Sequence, residues 1–219
     1  MSSFVVHSIP GSPFGRAVLA TLVEKNAPFR FATVEPRSMK SQPHLTLHPF
    51  GRVPILEDGG FSLYETQAIL RYLDRKLPVP SLTPADPKAA ARMDQIMGVC
   101  DWYLFQGCNN IIGFQRVVRP RLMGLPGDEA VIAEAMPRAH VVMTELSRLL
   151  GDNSYFAGAQ VSLADMLVAP QLDFLAGTPE WQPLTAQREN LPAWLARMQE
   201  RKSLRATTWD RVAEMAKAA

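Results

Sequence analysis

The stretch HPFGRVPIL, residues 48–56, places a proline at the opening of a segment that otherwise has the composition of a β-strand. Proline removes a hydrogen-bond donor from a strand ladder, so its presence there needs a reason. A cis peptide bond between Val53 and Pro54 is one such reason, because it would turn the backbone of Val53 outward to pair with an extended peptide. A plain strand edged by proline is the alternative. This stretch alone leaves both interpretations open.

On either side of this stretch the sequence alternates between strand and helix signals. Short β-branched and aromatic runs predict strands at 3–8 and 29–34, and the apolar residues from Phe14 to Asn26 recur at helical spacing. Two further strands are predicted at 53–57 and 61–64, separated by a Gly-Gly turn and followed by a second apolar helical face. The order β-α-β, loop, β-β-α is typical of a small mixed sheet covered by helices.

The second half of the chain has a different pattern. Residues 78–87, PVPSLTPADP, hold four prolines and predict a linker between domains. Beyond it strand signals nearly vanish, and long apolar stripes predict helices, the first over 88–118. We therefore predict an α/β plus all-α protein. It comprises a domain with a small mixed sheet covered by helices at 1–78, a linker at 79–87 and a helical bundle at 88–219.

The composition argues against several classes of partner. The chain has 219 residues, 47% of them hydrophobic and 20% charged, which is typical of a globular protein. Its formal net charge of +2, with both signs interspersed, gives no reason to expect nucleic acid or a membrane surface as partner. No apolar run approaches the ~18 residues of a membrane-spanning helix. The four histidines lack metal-ligand spacing, so we expect no metal.

The two cysteines, Cys100 and Cys108, bear on the cellular compartment. On a helix, eight residues place their Cα atoms ~12 Å apart, beyond the ~7 Å that a disulfide spans. We therefore expect two free thiols. Free thiols suit a reducing environment, and we predict a cytoplasmic location.

Two strand-to-helix junctions combine hydroxyl groups with helix N-termini. Ser12, directly before Pro13, opens the first helix, where free N–H groups and the helix dipole favour an anion. Glu65 and Thr66 close the last strand and open the next helix, which suits a carboxylate beside an ammonium group. The alternative interpretation of each junction is an ordinary helix start, with Ser12 or Thr66 as the N-cap. Together with an extended-peptide edge at 48–56, the two junctions indicate a receptor for a small thiol peptide.

Three segments in this spacing resemble the cytosolic glutathione S-transferases: SPFGR at 12–16, HPFGRVPIL at 48–56 and YETQAILRYL at 64–73. The proline linker and the all-helical second half extend the resemblance over nearly the whole chain. The resemblance implies that the domain at 1–78 has a thioredoxin-like fold. Within that family the chain resembles the serine-using members, which are phi-, theta- or delta-like and of bacterial type. Tyrosine-using and cysteine-using members need those residues near the first strand and turn, but no tyrosine precedes Tyr64 and no cysteine precedes Cys100.

The resemblance implies that Ser12 is catalytic, with Arg16 four residues later completing the pattern of the serine-using classes. Ser12 would donate a hydrogen bond to the glutathione thiolate rather than act as a nucleophile. A thiol with a pKa of ~8.5 needs ~2.7 kcal/mol of preferential stabilisation to lose two pKa units. A hydroxyl donor and a helix dipole together contribute ~1–3 kcal/mol, which is the right order.

The resemblance also implies how two parts of glutathione are held. The backbone of Val53, beside a cis Pro54, would hold the cysteinyl residue. Glu65 and Thr66 would hold the γ-glutamyl end.

The glycine end of glutathione is less well defined. Lys40 matches a lysine of the phi-like members, whereas Met39 stands where those members have histidine. Arg52 replaces a usual glutamine and would supply the missing charge. The glycine carboxylate would therefore be held by Lys40, Arg52 or both.

A fourth match, VSLADM at 161–166, pairs Ser162 with Asp165 at the spacing of a capping box. In the family this box starts a buried helix. The resemblance therefore implies a structural role for both residues.

The activity implied by the resemblance is transfer of glutathione, as co-substrate, to a small electrophilic molecule bound by the helical half. It also implies a homodimer and no metal. Glutathione-dependent dehalogenation, isomerisation and peroxide reduction would use the same glutathione site, so the sequence leaves them open. A non-catalytic carrier of apolar ligands on the same fold is a further alternative. The electrophile and the residues that line its pocket are not identified by the sequence.

Overall fold

The computed structural model describes residues 4–218 and divides into two compact units. The first unit joins the described residues up to Leu82 with those from Gln199 onward. The second unit runs from Thr83 to Met198. Ser3, the first residue of the predicted opening strand, lies outside the described residues.

A four-stranded sheet in the order β2-β1-β3-β4 forms the centre of the first unit. Its strands are β1 (Phe4–Ser8), β2 (Phe29–Thr33), β3 (Ile55–Asp58) and β4 (Phe61–Tyr64). β1 is parallel to β2 and antiparallel to β3, and β3 is antiparallel to β4, so the predicted mixed sheet is confirmed. β3 begins two residues later than predicted, because the proline before it has no N–H for the ladder.

Helices cover this sheet. They are α1 (Pro13–Glu24), the short α2 (His44–Leu47) and α3 (Thr66–Lys76), with a 3₁₀ turn at Pro36–Lys40. α1 packs against α3 through side chains that are fully buried, such as Leu22 and Leu73. The regularly spaced apolar side chains of both helices thus face one shared core.

The hairpin between β3 and β4 follows from its two central glycines. Asp58 pairs with Phe61, which leaves Gly59 and Gly60 as a two-residue loop with φ values of 57° and 90°. Positive φ at both positions defines a type I′ turn, whose twist matches that of the strands. Asp58 is buried and accepts a hydrogen bond of 2.6 Å from the hydroxyl of Tyr72, which fixes the hairpin to α3.

The second unit is helical. Its helices are α4 (Pro87–Val99), α5 (Arg119–Met123), α6 (Glu129–Leu150), α7 (Leu163–Ala176), α8 (Trp181–Thr185) and α9 (Asn190–Gln199). The helix predicted over 88–118 is present, but from Cys100 to Val118 its turns widen to π-helical geometry. Within the described part of the chain, none of these or the other helices combines the length and apolar character needed to cross a membrane.

The predicted capping box of α7 is confirmed. Ser162 and Asp165 exchange backbone and side-chain hydrogen bonds at the helix start. The Asp165 carboxylate is fully buried and also accepts bonds of 2.9 Å from the backbone N–H of Phe156 and from Nε1 of Trp194. One carboxylate therefore joins the helix start to a preceding loop and to α9.

The C-terminal segment departs from the predicted division into domains. The prediction was one helical domain over 88–219, but the described residues from Gln199 onward belong to the first unit. This segment contains α10 (Lys202–Ala206) and α11 (Trp209–Ala218). α10 packs against α1, and α11 packs against β2.

Polar contacts explain why the segment returns. The Glu24 carboxylate, at the end of α1, accepts two bonds of 2.8 Å from Arg201 and one of 2.5 Å from the Ser203 hydroxyl. Burial by itself would raise the pKa of Glu24, but these hydrogen bonds outweigh burial and hold the pKa below its ordinary value. The sequence offered no signal for this pairing across most of the chain.

Candidate functional site

Three chain segments meet at one end of the sheet in the first unit. β3 is antiparallel to both of its neighbours, with Ile55 paired to His7 of β1 and to Tyr64 of β4. The end of β1, the start of β3 and the end of β4 therefore lie together. The predicted site residues next to these three strand ends are Ser12, Val53, Pro54, Glu65 and Thr66.

A tight turn leads from β1 into α1. The backbone N–H of Ser12 donates to the carbonyl of Ile9 over 3.1 Å, with Pro10 and Gly11 between them. Gly11 has a φ of +86°, and proline followed by a positive-φ glycine is the signature of a type II turn. The turn places Ser12 at the first turn of the helix.

Ser12 is the N-cap of α1, and its side chain is half-buried. Its oxygen accepts a hydrogen bond of 3.1 Å from the backbone N–H of Gly15. Its hydroxyl hydrogen is donated to no residue in the range that the structure covers, so it is available to a ligand. The first turn of α1 carries no acidic side chain, so its positive dipole end is not neutralised locally.

The peptide bond between Val53 and Pro54 is cis. The predicted cis bond is therefore confirmed, and the plain proline-edged strand is not what forms. Val53 is half-buried and lies outside the ladder registers of β3, so that ladder does not use its backbone groups. An extended ligand can pair with them.

The start of α3 has an unusual backbone. Glu65, not Thr66, is its N-cap residue, with φ 69° and ψ 111°, and its side chain makes no capping hydrogen bond. A non-glycine residue in this conformation costs about 1–3 kcal/mol, and such residues cluster at ligand sites. Thr66 is buried, and its hydroxyl has no partner within residues 4–218. The N-terminal dipole of α3 and this hydroxyl suit a carboxylate, while the exposed Glu65 carboxylate suits an ammonium group.

Lys40 and Arg52 lie in the connection that leads to the cis proline, and both are exposed. The ammonium group of Lys40 donates to the carbonyl of Phe50 over 3.0 Å. Gly51 has a φ of +60°, and a Cβ there would lie 2.5 Å from the Met39 carbonyl, so only glycine allows this close approach. The Lys40 ammonium group therefore lies beside the residues that precede Arg52 on a tightly folded loop, and the Met39 side chain adds no charge.

Two histidines of this loop were considered at the sequence level only as metal ligands, yet both help to shape it. Nε2 of His44 lies 2.8 Å from the carbonyl oxygen of Arg52. The His48 ring stacks on the Tyr64 ring, with the ring centroids 4.6 Å apart. Burial, with the nearby charges of His44 and Arg52, lowers the pKa of His48. His48 is therefore neutral at pH 7 and adds no charge for a carboxylate. In the sequence, the i, i+4 spacing of the two histidines was the feature that could have indicated this role in shaping the loop.

In the described chain, neither a metal cluster nor a cysteine offers an alternative chemistry. Among residues 4–218, no three His, Cys, Asp or Glu side chains converge as a metal site. Both thiols are free and buried. Burial raises the pKa of Cys100 well above its ordinary value, and burial with the nearby Glu180 raises the pKa of Cys108 to about 12. Neither thiol is a nucleophile at neutral pH.

Comparison with known families finds a match in each half of the chain. Residues 6–81 match the profile described as "Glutathione S-transferase, N-terminal domain", and residues 108–202 match "Glutathione S-transferase, C-terminal domain".

Individual relatives agree with these profiles. The chain is 30% identical over 211 residues to glutathione S-transferase F7 of Arabidopsis thaliana, covering 93% of this chain and 98% of that protein. It is 32% identical to a glutathione S-transferase of Hyoscyamus muticus, covering 87% of this chain and 91% of that protein.

Among solved structures, glutathione transferase F2 of Populus trichocarpa superposes with a TM-score of 0.83 at 28% identity, covering 99% of this chain and 100% of that one. A glutathione S-transferase-I bound with lactoylglutathione superposes with a TM-score of 0.81 at 25% identity, covering 99% and 100% of the two chains.

Proposed function

Because this chain belongs to the glutathione S-transferase family, we propose that it is a serine-using, phi-like glutathione transferase that activates the glutathione thiol through Ser12. One observation carries the proposal. Ser12 caps α1 with a hydroxyl hydrogen still available, at the sheet end that also holds a cis proline and the uncapped start of α3. A fold kept only as a scaffold has no need for all three features together.

In this mechanism Ser12 donates its hydroxyl hydrogen to the glutathione sulfur and stabilises the thiolate. Its oxygen continues to accept from the N–H of Gly15, which holds the hydroxyl in place. The hydrogen bond and the N-terminal dipole of α1 favour the charged form of the thiol, so its pKa falls. The thiolate then attacks an electrophilic carbon, a C–S bond forms, and the leaving group departs with its electron pair.

The remaining residues bind the rest of glutathione. The backbone of Val53, beside cis Pro54, pairs with the cysteinyl residue as a short added strand. The N–H groups at the start of α3 and the Thr66 hydroxyl hold the γ-glutamyl carboxylate, and Glu65 holds its amine. The strained backbone of Glu65 keeps both groups aimed at the same ligand.

Lys40 and Arg52 supply positive charge for the glycine carboxylate in this proposal. Because both side chains are exposed, this end of glutathione is held by screened charge attraction rather than by a buried pair. We therefore expect glutathione affinity to fall as salt rises.

We also propose a cytoplasmic homodimer. Phe50 in the first unit and Val141 in the second are 62% and 69% exposed, and burial of either apolar side chain against a partner surface would be favourable. The two buried free thiols suit a reducing compartment. Light scattering from the purified protein should give twice the chain mass of 24.3 kDa, and a mass of one chain would contradict the dimer.

The experiment that tests the function is a titration of bound glutathione, followed by the ultraviolet absorbance of its thiolate. In the wild type we expect the thiol pKa to lie about two units below the free value of about 8.5. Ser12→Ala should remove most of that shift while glutathione still binds. Ser62→Ala, which removes an exposed hydroxyl of β4, is the matched control and should leave the shift intact.

Thr66→Ala separates binding from activation. Losing a hydrogen bond to a carboxylate should raise the glutathione dissociation constant about tenfold or more, measured by calorimetry. An unshifted thiol in the wild type would favour the non-catalytic carrier. A Ser12→Ala variant with a wild-type thiol pKa would remove Ser12 from the mechanism.

A further inference from the structure

The C-terminal segment contacts the backbone on both sides of Ser12. A Cβ placed on Gly11 would lie 2.5 Å from Cδ2, Cε2 and Cε3 of the Trp209 indole. Because the three distances are equal, Gly11 faces the flat side of the ring. The Cα of Gly11 itself is one bond length farther away, at the ~4 Å of ordinary contact between carbon atoms. Four residues beyond Ser12, the Arg16 guanidinium donates to the carbonyl of Leu204 over 3.0 Å.

The contact with Trp209 falls on the most adaptable residue of the turn. Gly11 has the positive φ that a type II turn requires, and glycine by itself populates many other conformations as readily. The indole blocks the space beside Gly11 and so limits where the turn can move. A shift of this turn also moves Ser12, because Ser12 directly follows Gly11 and caps α1.

The indole itself is held firmly. It stands at the start of α11, which packs against β2, and Val212 one turn later is 3% exposed. Before it, the Arg201 and Ser203 contacts with Glu24 fix the segment to the end of α1. The segment is therefore attached at several points, and Trp209 is the part that reaches the Ser12 turn.

We propose that Trp209 is a positioning residue for Ser12: its indole holds the Gly11 turn so that the Ser12 hydroxyl meets the glutathione sulfur at hydrogen-bond distance. This inference rests on the proposed function of Ser12. Hydrogen bonds weaken steeply with distance and angle, so a small displacement of the turn weakens the bond to the thiolate. Trp209 thereby sets the acidity of the bound thiol without touching it.

The test measures the pH dependence of the thiol, which a role in stability alone does not change. Trp209→Ala should raise the pKa of bound glutathione by about one unit, so that kcat/KM with an activated aryl halide falls about tenfold at pH values below the wild-type thiol pKa. The two proteins should converge as pH rises past the free thiol value. At a pH below the thiol pKa of both bound forms, the glutathione dissociation constant should change less than about threefold, because the binding residues are untouched and the bound thiol is protonated in both proteins.

Val212→Ala is the matched control, because it weakens the packing of the same helix without altering the indole. It should lower the melting temperature and keep the wild-type pH profile. Trp209→Phe, which keeps a flat ring, should restore most of the wild-type pKa. If Trp209→Ala does not fold, Trp209→Leu keeps apolar volume without the flat face and should show the same direction of shift.

The outcomes separate the inference from the proposed function. An unshifted thiol in the wild type refutes the function of Ser12 before any Trp209 variant is considered. A shifted wild type with an identical thiol pKa in Trp209→Ala, or in Trp209→Leu where that is the folded variant, overturns the positioning role alone. An equal pKa shift in Val212→Ala also overturns it, since the docking of α11 rather than the indole would then be responsible.

Discussion

Replacing Asp165 by alanine should destabilise the protein far more than loss of an ordinary helix cap. The buried carboxylate accepts four hydrogen bonds: two of 2.9 Å from the N–H groups of Phe156 and Ser162, one of 2.9 Å from Trp194, and one of 2.7 Å from the Ser162 hydroxyl. The hydroxyl can rotate to another partner, but three N–H donors cannot. Each buried donor left without a partner costs about 1–3 kcal/mol.

Burial of the charge offsets part of this cost. Burial raises the pKa of Asp165 above its ordinary value, although the hydrogen bonds oppose the change. Alanine removes that unfavourable buried charge, so the cost per unpaired donor lies toward the lower end of the range of about 1–3 kcal/mol. We expect a loss of about 3–5 kcal/mol in the free energy of unfolding, against about 0.5–2 kcal/mol for a typical cap.

Asp128 is the matched control. It caps α6 in the same unit by accepting from the N–H groups of Ala130 and Val131, but it is exposed, so water can replace it. Urea denaturation of Asp165→Ala, Asp128→Ala and the wild type gives the free energies at comparable slopes. Equal losses in the two variants would refute the argument from stranded donors. The folded fraction of Asp165→Ala should still bind glutathione with wild-type affinity.

Two further expectations follow from shifted pKa values. The pKa of Glu24 is depressed in the folded state, so its pairing with Arg201 and Ser203 stabilises the fold above pH ~4.3 and is lost as pH falls through the folded value. Glu24→Gln should therefore be less stable than the wild type at pH 7, with the gap closing on acidification; a gap constant with pH in urea melts would contradict this. Cys108, with its pKa raised to about 12, and Cys100 should resist an aromatic disulfide reagent at pH 8 until the protein is denatured, whereas rapid labelling of the native protein would show that they are accessible.

Local features of the fold were predictable because neighbouring residues decide them. The Gly-Gly hairpin, the helix start at Ser12 and the capping box at Ser162 each depend on residues within a few positions of one another. The cis bond before Pro54 was also indicated by its local context, a proline inside a strand-like segment. Regular apolar spacing then located the long helices, although not the π-helical widening after Cys100.

The candidate site was predictable as a set of residues, but its geometry was not. Glu65 was expected to sit beside a conventional Thr66 cap or to bind an amine, and nothing in its neighbours indicated a φ of 69°. That conformation persists because β4 and α3 fix the chain on both sides of it. The pairing of His44 with the Arg52 carbonyl likewise depends on how the loop folds back on itself.

The sequence alone determined the order of the strands and the long helices and the hydroxyl at the start of α1, because these rest on short-range sterics and hydrogen bonding. The cis bond before Pro54 was one of two interpretations that the local sequence allowed. Tertiary structure alone decided that the C-terminal segment returns to the first unit, where Trp209 covers Gly11 and Leu204 receives the Arg16 guanidinium. Such contacts join residues far apart in the chain, and no local periodicity records them. They form only where the packed core brings the two surfaces together.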